Sequence, residues 1–350
     1  MKVLFLSAWY PTERDRMYGL FVEKHLKAVC RQGADARVIY NEKVGLAWWR
    51  QMYKDWKYLL NSGWKPDIVQ VNVNGRNALF ALYLYKKYNI PYIIVEHWTG
   101  YLPLSFQLRS PLKRFVFRFG AKYAQRIMPV SANLGEAMQN CGLKGNYEVL
   151  NNVVDDFFYT VPRDTQSDVI NTLHVSCFDE EHKNVCGILR VFARMKHNYP
   201  RQLRLTLVGT GKDFALAVAY ARTLGLEEGE DVIFTGEQPP IEVAKFMSQA
   251  DLFVLFSNKE NAPVVISESL AAGVPVLSSD VGGIKEMITP ESGRLIRAKD
   301  ETALEKEWTD MLKNLDKYNA ETIRESARKY SFNAVGERLI IVYNEVAKHK

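Results

Sequence analysis

The sequence has few cysteines and no long hydrophobic run. Its 350 residues contain four scattered cysteines and no CxxC pair: Cys30, Cys141, Cys177 and Cys186. This usage argues against a disulfide framework or a zinc site and indicates a reducing compartment. The apolar stretches, such as residues 90–95 and 250–256, are far shorter than the roughly 20 residues of a membrane-spanning helix. The start lacks a small-residue cleavage site, so we expect a first strand and a cytoplasmic protein.

The composition is that of a folded α/β protein. Hydrophobic residues make up 47% and charged residues 25%, which argues against a disordered or fibrous class. The length suits two domains of about 150 residues each. A formal charge of +6 is compatible with an anionic partner such as a nucleotide, a phospholipid or a nucleic acid.

Short apolar runs alternate with helical patterns along the whole chain, which predicts parallel, doubly wound sheets with helices on both faces. A second series begins near Leu173, after a polar segment that contains Pro162. We therefore expect one domain over residues 1–162 and another over 163–331. A last helix, roughly residues 333–347, carries Val335, Leu339, Val342 and Val346 at helical spacing and needs a surface to pack on.

Two glutamates stand out in the stretch SNKENAPVVISESLAAGVPVLSSDVGGIKEMI. Glu260 and Glu268 are eight residues apart across a loop and a helix start, Pro263 fits the first turn, and Gly273 ends the helix. A helix N-terminus favours an anion, and a carboxylate can accept two hydrogen bonds from a diol such as ribose. At an arbitrary spacing, two such glutamates would be read as exposed helix-end residues.

The surrounding residues favour a functional interpretation. A strand followed by S-x-x-E-N-A-P, A-A-G-V-P-V and G-G-x-x-E resembles the signature of the retaining GT-B glycosyltransferases of family 4. The resemblance implies two Rossmann-like domains facing across a cleft, with the C-terminal helix, 332–350, returning to the N-terminal domain. It places Glu260 beside the donor sugar and Glu268 on the ribose. It also implies that one stretch offers backbone N–H groups to the sugar and diphosphate: Asn261, Ala262, Pro263 and Val264.

A second motif is an acidic loop followed by His182 and Lys183, which we expect to open an amphipathic helix. Asp179 or Glu180 could cap that helix, and Lys183 could be a solvated surface charge. The resemblance instead sets Lys183 against the donor diphosphate, where it would balance the charge of the leaving nucleotide.

One departure from the family lies at the preceding strand end, where the usual Gly-Arg is replaced by Ser176 and Cys177. Loss of a guanidinium that can bind phosphate through two hydrogen bonds has three open consequences. Donor binding could weaken, the preferred donor could change, or another cation such as Arg294 could take over.

The N-terminal half offers two further candidates. His97 follows a buried strand, at the edge where α/β sheets bind ligands; alone it would be read as a structural histidine. The resemblance makes it a residue that orients the donor sugar, and we assign it no proton transfer. Gly19 opens a helix, where a cap is the ordinary explanation, while the family brings such a glycine close to the diphosphate and residues 14–18 close to the acceptor.

Gly209 and Gly211 follow a strand like half of a dinucleotide fingerprint, but Phe214 stands where the third glycine would be. A dehydrogenase is therefore the weakest alternative. The resemblance instead places Gly209 beside the nucleotide and three residues near its base: Gly236, Glu237 and Gln238.

Basic and aromatic residues are concentrated in two segments, 46–65 and 109–126. Between Trp98 and Gly135 there are six Lys or Arg and no acidic residue. This pattern fits an anionic membrane surface and equally fits ordinary packing with solvated bases, so both interpretations remain open. We expect no nucleic-acid binding because no recognised module accompanies the charge.

The sequence therefore predicts a retaining transferase that moves a sugar from a nucleotide-diphosphate-sugar to a glycan or lipid-linked acceptor in cell-surface polysaccharide synthesis. We expect neither a metal nor a cofactor. We place the protein in the cytoplasm, and on the inner face of the membrane if the membrane interpretation holds. Two rivals are a nucleotide-sugar isomerase or epimerase of the same shape and a non-catalytic nucleotide-sugar binding protein.

Overall fold

The computed structural model describes residues 1–101, 106, 109–164 and 168–348. It divides into two compact units, Met1–Val153 with Tyr330–Lys350, and Val154–Lys329. The division falls at Val153–Val154 instead of near Pro162, because the short helix Asp156–Thr160 packs within the second unit and Tyr159 donates a hydrogen bond to the carbonyl of Ala327. Residues 165–167 of the predicted linker lie outside the described residues.

The first unit is a five-stranded parallel sheet in the order β2-β1-β3-β4-β5. Its strands are β1 Lys2–Ser7, β2 Asp35–Tyr40, β3 Ile68–Asn72, β4 Tyr92–Glu96 and β5 Arg126–Pro129. Its helices are α1 Leu20–Arg31, α2 Gly45–Asn61, α3 Arg76–Tyr88, α4 Pro111–Lys122 and α5 Ala132–Asn140. Strands β3 and β4 are buried along their whole length, as the apolar runs predict.

The second unit is a six-stranded parallel sheet in the order β11-β10-β9-β6-β7-β8. Its strands are β6 Ile170–Val175, β7 Leu203–Val208, β8 Val232–Gly236, β9 Leu252–Leu255, β10 Val276–Ser279 and β11 Gly293–Ile296. Its helices are α6 Asp156–Thr160, α7 Glu180–Lys183, α8 Val185–Asn198, α9 Phe214–Thr223, α10 Pro240–Gln249, α11 Val264–Ala271, α12 Glu301–Lys313 and α13 Ala320–Ser326. This strand order is the doubly wound one, and its direction reverses between β6 and β9.

The last helix, α14 Phe332–Lys348, belongs to the first unit and packs along α1. The four apolar residues that predicted this helix are all buried: Val335, Leu339, Val342 and Val346. The hydroxyl of Tyr343 donates to the side-chain oxygen of Gln70, and Arg126 lies 3.2 Å from Glu345. The expected return of the C-terminal helix to the N-terminal domain is confirmed.

Within the described residues, no helix is long and apolar enough to cross a membrane.

Candidate active site

The strand order of the second unit brings the two central predicted residues together. Lys183 follows β6 and Glu260 follows β9, and these strands are neighbours at the point where the sheet reverses direction. Loops after the carboxyl ends of such strands diverge there and leave a crevice in which α/β proteins bind ligands. Two residues that are 77 positions apart in the chain are thus placed at the ligand-binding edge of one sheet.

Lys183 and Glu260 form an ion pair. The ammonium nitrogen of Lys183 lies 2.5 Å from Oε1 of Glu260, and Oγ of Ser257 donates to the same oxygen at 2.7 Å. The side chains are only 17% and 8% exposed, respectively. Both hydrogen bonds from described residues therefore end on Oε1 of a carboxylate that is largely removed from water, which fixes its orientation.

Three loops hold this pair in position. The backbone N–H of Asn258 donates to the carbonyl of His182 at 2.7 Å, which joins the loops after β9 and β6. Gly283 donates to the carbonyl of Asn261 at 2.8 Å, which joins the loop after β10. Gly282 has φ +59°, and a Cβ on it would lie 2.1 Å from the carbonyl oxygen of Glu260. Only glycine permits this close approach.

The second glutamate lies on the helix that follows. Pro263 is the N-cap of α11, one residue outside the predicted first turn, and Gly273 with φ +75° follows the helix end as predicted. Glu268 is half-buried on this helix. Because Pro263 has no N–H, the predicted donor stretch reduces to three backbone donors: Asn261, Ala262 and Val264.

The loop after β6 differs from the prediction. Lys183 does not open the amphipathic helix: it ends the single turn α7, Asn184 adopts a left-handed conformation, and α8 begins at Val185. Asp213 accepts from the N–H of Glu180 at 2.8 Å at the start of α7, and Glu180 accepts from the N–H of Cys186 at the start of α8. Glu180 therefore caps the N-terminus of α8.

Asp179 has a different task. Its carboxylate lies 3.0 Å from Nδ1 of His182 and 3.2 Å from Nζ of Lys212. Burial alone would raise the pKa of Asp179, but the hydrogen bonds from His182 and Lys212 outweigh it and the pKa is lowered. The carboxylate is thus held ionised beside the His182 ring and the ammonium of Lys212, in the loops after β6 and β7.

The position of the missing arginine is occupied by small side chains over a buried histidine. Cys177 is exposed, and Ser176 lies 2.7 Å from Nε2 of His174. Nδ1 of His174 lies 2.8 Å from the carbonyl of Val254. A carbonyl only accepts, so Nδ1 carries the proton and Nε2 accepts from the Ser176 hydroxyl. Burial lowers the pKa of His174 to about 4, so the ring is neutral at pH 7 and supplies no replacement charge.

Arg294, suggested as a substitute cation, is bound elsewhere. Its Nη1 lies 2.7 Å from Glu307 and 2.6 Å from Asp310, both on α12. Two carboxylates of α12 therefore balance the charge of Arg294, and we no longer propose it as a diphosphate ligand.

The two glycines predicted beside the nucleotide differ in their surroundings. A Cβ on Gly209 would lie 1.9 Å from the carbonyl oxygen of Ser176, so this glycine is required by packing between the ends of β6 and β7. Gly236 has φ +69°, yet no described atom lies within 4 Å of a Cβ built there. The side chain of Gln238 donates to the carbonyl of Thr235 at 2.9 Å, and Glu237 stands between them in the turn after β8.

In the first unit, the carboxylate before His97 organises the end of β4. Glu96 is fully buried and accepts four hydrogen bonds: from the N–H groups of His97, Trp98 and Asn74 and from the hydroxyl of Tyr101, at 2.9–3.0 Å. Burial raises the pKa of Glu96, and these hydrogen bonds oppose the rise. Glu96 thus fixes the loops after β3 and β4 around His97.

His97 stacks on a ring of α1. Its ring centroid lies 3.9 Å from that of Phe21 and 5.5 Å from that of His25. Burial, and secondarily His25, lower the pKa of His97 well below its usual range. A neutral imidazole can orient a hydroxyl through hydrogen bonds but carries no charge at pH 7. The role of His97 toward a donor sugar stays a prediction.

Gly19 has φ +71° and precedes α1, where a Cβ would lie 2.5 Å from the backbone carbon of Trp9. Packing against the Trp9–Tyr10 peptide already requires a glycine at this position. Its predicted approach to a diphosphate stays a prediction.

Three residues of this site were missed by sequence reasoning. They are Ser257, which orients Glu260, Asp213, which starts α7, and Lys212, which pairs with Asp179. Ser257 stands three residues before Glu260 and Lys212 follows the Gly209–Gly211 turn, so both stand inside motifs that the sequence presents. Their partners depend on loop geometry that no spacing rule supplies.

Two protein-family models match the chain. Residues 20–156 match Glycosyltransferase Family 4, and residues 166–330 match Glycosyl transferases group 1. Together with the doubly wound sheets, these matches define a glycosyltransferase of the GT-B fold. The chain belongs to glycosyltransferase family 4.

Individual relatives agree with this assignment. The chain is 29% identical to the N-acetyl-alpha-D-glucosaminyl L-malate synthase of Bacillus anthracis over 276 residues, which cover 74% of this chain and 69% of that protein. Its fold is similar to that of HepE of Anabaena, solved with UDP, with a TM-score of 0.78 at 17% identity over 99% of this chain and 100% of that one. It is also similar to the lipopolysaccharide outer core galactosyltransferase WaaB, with a TM-score of 0.73 at 19% identity and the same coverages. At these identities the two structures support the fold alone.

Proposed function

We propose that this glycosyltransferase takes a sugar from a nucleoside diphosphate sugar, retains the anomeric configuration, and uses Lys183 in place of a metal to balance the leaving diphosphate. The observation that carries the proposal is the Lys183–Glu260 pair. A lysine next to a largely buried carboxylate is held ready, with its charge directed at the crevice, until an anionic donor arrives.

Donor binding redistributes the partners of this pair. The diphosphate shares the ammonium of Lys183, while Oε1 of Glu260 keeps its hydrogen bond from Ser257. The second oxygen, Oε2, then accepts from a hydroxyl of the donor sugar. Lys183 therefore binds the phosphate and Glu260 binds the sugar, so each residue of the ion pair recognises a different part of the donor.

The remaining predicted residues complete the donor site. Glu268 binds the ribose diol, the turn Gly236–Gln238 borders the base, and the open space beside Gly236 leaves room for it. The N–H groups around α11 approach the diphosphate, where the helix dipole favours negative charge. For His97 and Gly19 we keep the roles that the family resemblance implies, orientation of the donor sugar and approach to the diphosphate.

The donor and acceptor classes are drawn from the relatives. A uridine nucleotide is the first donor to test, because HepE was solved with UDP. A glycan or lipid-linked acceptor in cell-surface polysaccharide synthesis fits the lipopolysaccharide galactosyltransferase among the similar folds. We place the enzyme in the cytoplasm, since all four cysteines, which the structure describes, are free thiols.

The experiment is calorimetric titration of the chain with UDP, GDP, ADP and their sugar conjugates in the presence of a chelator, followed by NMR of the released sugar. We expect one nucleotide family to bind and the sugar to be released slowly with its configuration retained. Inversion would overturn retention, and dependence on added metal would overturn the role of Lys183. Conversion of the donor into an isomeric nucleotide-sugar, without release of free sugar, would favour an isomerase, and binding without turnover a non-catalytic protein.

A matched pair of variants isolates Lys183. Lys259 forms an exposed ion pair with Glu181 at 3.1 Å in the adjoining loop. Lys183→Gln should lower donor turnover by about 100-fold or more, in the range of losing one electrostatic contact to a leaving group, whereas Lys259→Gln should leave it within twofold. Equal effects of the two variants would remove Lys183 from the mechanism.

A further inference from the structure

Three helices of the first unit form one layer, here called the basic layer: α2, α3 and α4. They connect β2 to β3, β3 to β4 and β4 to β5, all crossing in the same direction along the sheet, so right-handed crossovers place them on the same face. Their side chains form one continuous surface: the ring of Trp56 lies 5.3 Å from that of Tyr88, and the ammonium of Lys86 lies 4.9 Å from the ring of Tyr123, the residue that follows α4.

The basic layer accounts for the net positive charge of the molecule. Its 42 residues contain ten Lys or Arg and one acidic residue, Asp55, a net charge of +9. The other 308 residues contain 36 basic and 39 acidic residues, a net charge of −3. The excess charge of this protein is therefore a property of one surface.

Large apolar side chains stand exposed among these charges. Leu46 and Tyr58 on α2 are 75% and 74% exposed, and Leu112 and Phe115 on α4 are 73% and 60% exposed. The opposite side of α2 carries Trp48, Met52 and Trp56, which are buried against the fold. Packing thus explains why the inner side chains of segment 46–65 are apolar. It does not explain the apolar side chains that are exposed.

We propose that the basic layer docks on an anionic lipid surface. Lysines attract acidic headgroups, and Leu, Phe and Tyr side chains enter the interface between headgroups and acyl chains. Each signal alone gives weak attachment, and the two together give stable, reversible attachment. A nucleic acid would use the lysines but would leave Leu46 and Leu112 in water. The proposal does not depend on the sugar donor, because the layer belongs to the first unit and the loops around Lys183 and Glu260 belong to the second.

The test is co-sedimentation of the intact chain with vesicles of phosphatidylcholine alone and with added phosphatidylglycerol. We expect binding only to the anionic vesicles, and a fall in binding as salt is raised. Lys54→Gln/Lys57→Gln/Lys87→Gln removes three exposed charges and should lower the partition coefficient about 100-fold, at about fivefold per lysine. Leu46→Ser/Phe115→Ser keeps the charge and should lower the partition coefficient at least tenfold.

The matched control is Lys306→Gln/Lys313→Gln/Lys317→Gln, which removes the same charge from exposed positions of the second unit and should bind vesicles like the unaltered chain. Equal binding by the two triple variants would overturn the proposal. So would equal binding to neutral vesicles, or binding to RNA without binding to vesicles. Donor titration of the same samples separates this result from the proposed transferase activity, since loss of vesicle binding with unchanged donor affinity concerns the basic layer alone.

Discussion

Glu260 and Glu268 occupy different environments, and this difference separates their tasks. Glu260 is tied to Lys183 and Ser257 beside the crevice, whereas Glu268 is half-buried farther along α11. If Lys183 binds the diphosphate as proposed, a carboxylate this close to it is expected beside the transferred sugar. Glu268, about one turn into α11, is then available for the other end of the donor.

Substitution of the two glutamates should therefore affect ligand binding in different ways. Glu268→Ala should weaken UDP and UDP-sugar alike, by about 10- to 100-fold, because a hydrogen-bonded carboxylate contributes roughly 1.5–3 kcal/mol. Glu260→Ala should spare UDP and remove the preference for one sugar. Calorimetry with both ligands measures this, with Glu242→Ala, a half-buried glutamate on α10, as control. Equal losses for UDP and UDP-sugar in both variants would contradict the division of roles.

Alanine substitutions at two glycines can distinguish the effect of ligand contact from that of backbone strain. Gly236 and Gly225 have φ +69° and +71°, and no described atom lies within 4 Å of a Cβ built on either. Alanine at each position should therefore cost a similar stability, about 1 kcal/mol, from the left-handed backbone alone. If a nucleotide borders Gly236, only Gly236→Ala should also lower nucleotide affinity. Urea unfolding and calorimetry on both variants decide the matter, and an equal affinity for nucleotide would remove Gly236 from the site.

At the scale of elements, α14 depends on one close approach to α1. A Cβ on Gly336 would lie 2.6 Å from the carbonyl oxygen of Ala28, which lies on α1. The bulk of alanine would have to push the two helices apart, and those helices share a core that includes Val335, Leu339 and Val22. The short distance thus makes glycine a packing requirement inside a helix, where it is otherwise unfavourable.

Gly336→Ala should therefore destabilise the protein by about 1–3 kcal/mol, although the same change in a free helix stabilises it by about 1 kcal/mol. The sign distinguishes packing from propensity. Denaturant unfolding measures it, and Glu337→Ala, at the next and exposed position, reports the effect of propensity alone. A more stable Gly336→Ala variant would show that the two helices separate without cost.

The helices and sheets could be predicted from the sequence because their apolar periodicity is local. The helix over 332–348, the buried strands β3 and β4, and the glycine after α11 all followed from spacing. The break at Asn184 did not, since a single left-handed asparagine carries no periodic signal, and its effect was to move Lys183 from a helix start to a helix end. The Ser257 and Lys212 contacts likewise depend on loops from separate strands meeting, which only the folded sheet brings about.

At the scale of the molecule, each unit buries a histidine that is neutral at pH 7. His25 lies on the buried side of α1 in the first unit and His174 within β6 in the second, and burial lowers the pKa of both to about 4. The usual value is 6.5. In this range the unfolded chain binds protons that the folded chain refuses, so folding stability must fall as the pH falls from about 6.5 towards 4. Above 6.5 both states are neutral at these rings and their contribution is constant.

His174 can be isolated by substitution. One histidine whose pKa is lowered this far by folding should reduce the free energy of unfolding by about 2 kcal/mol between pH 7 and pH 5. His174→Asn can still donate to the carbonyl of Val254, and it should unfold with a pH dependence that is smaller by that amount. His197→Asn, at an exposed position, should leave the pH dependence unchanged. The measurement is urea unfolding of the three proteins at pH 5 and pH 7.

The difference between variant and parent is needed because the buried Glu96, whose pKa is raised, contributes with the opposite sign above about pH 4.5 in all three. An unchanged slope in His174→Asn would mean that His174 takes up its proton in the folded chain, and that the strand beneath Ser176 and Cys177 holds a positive charge after all.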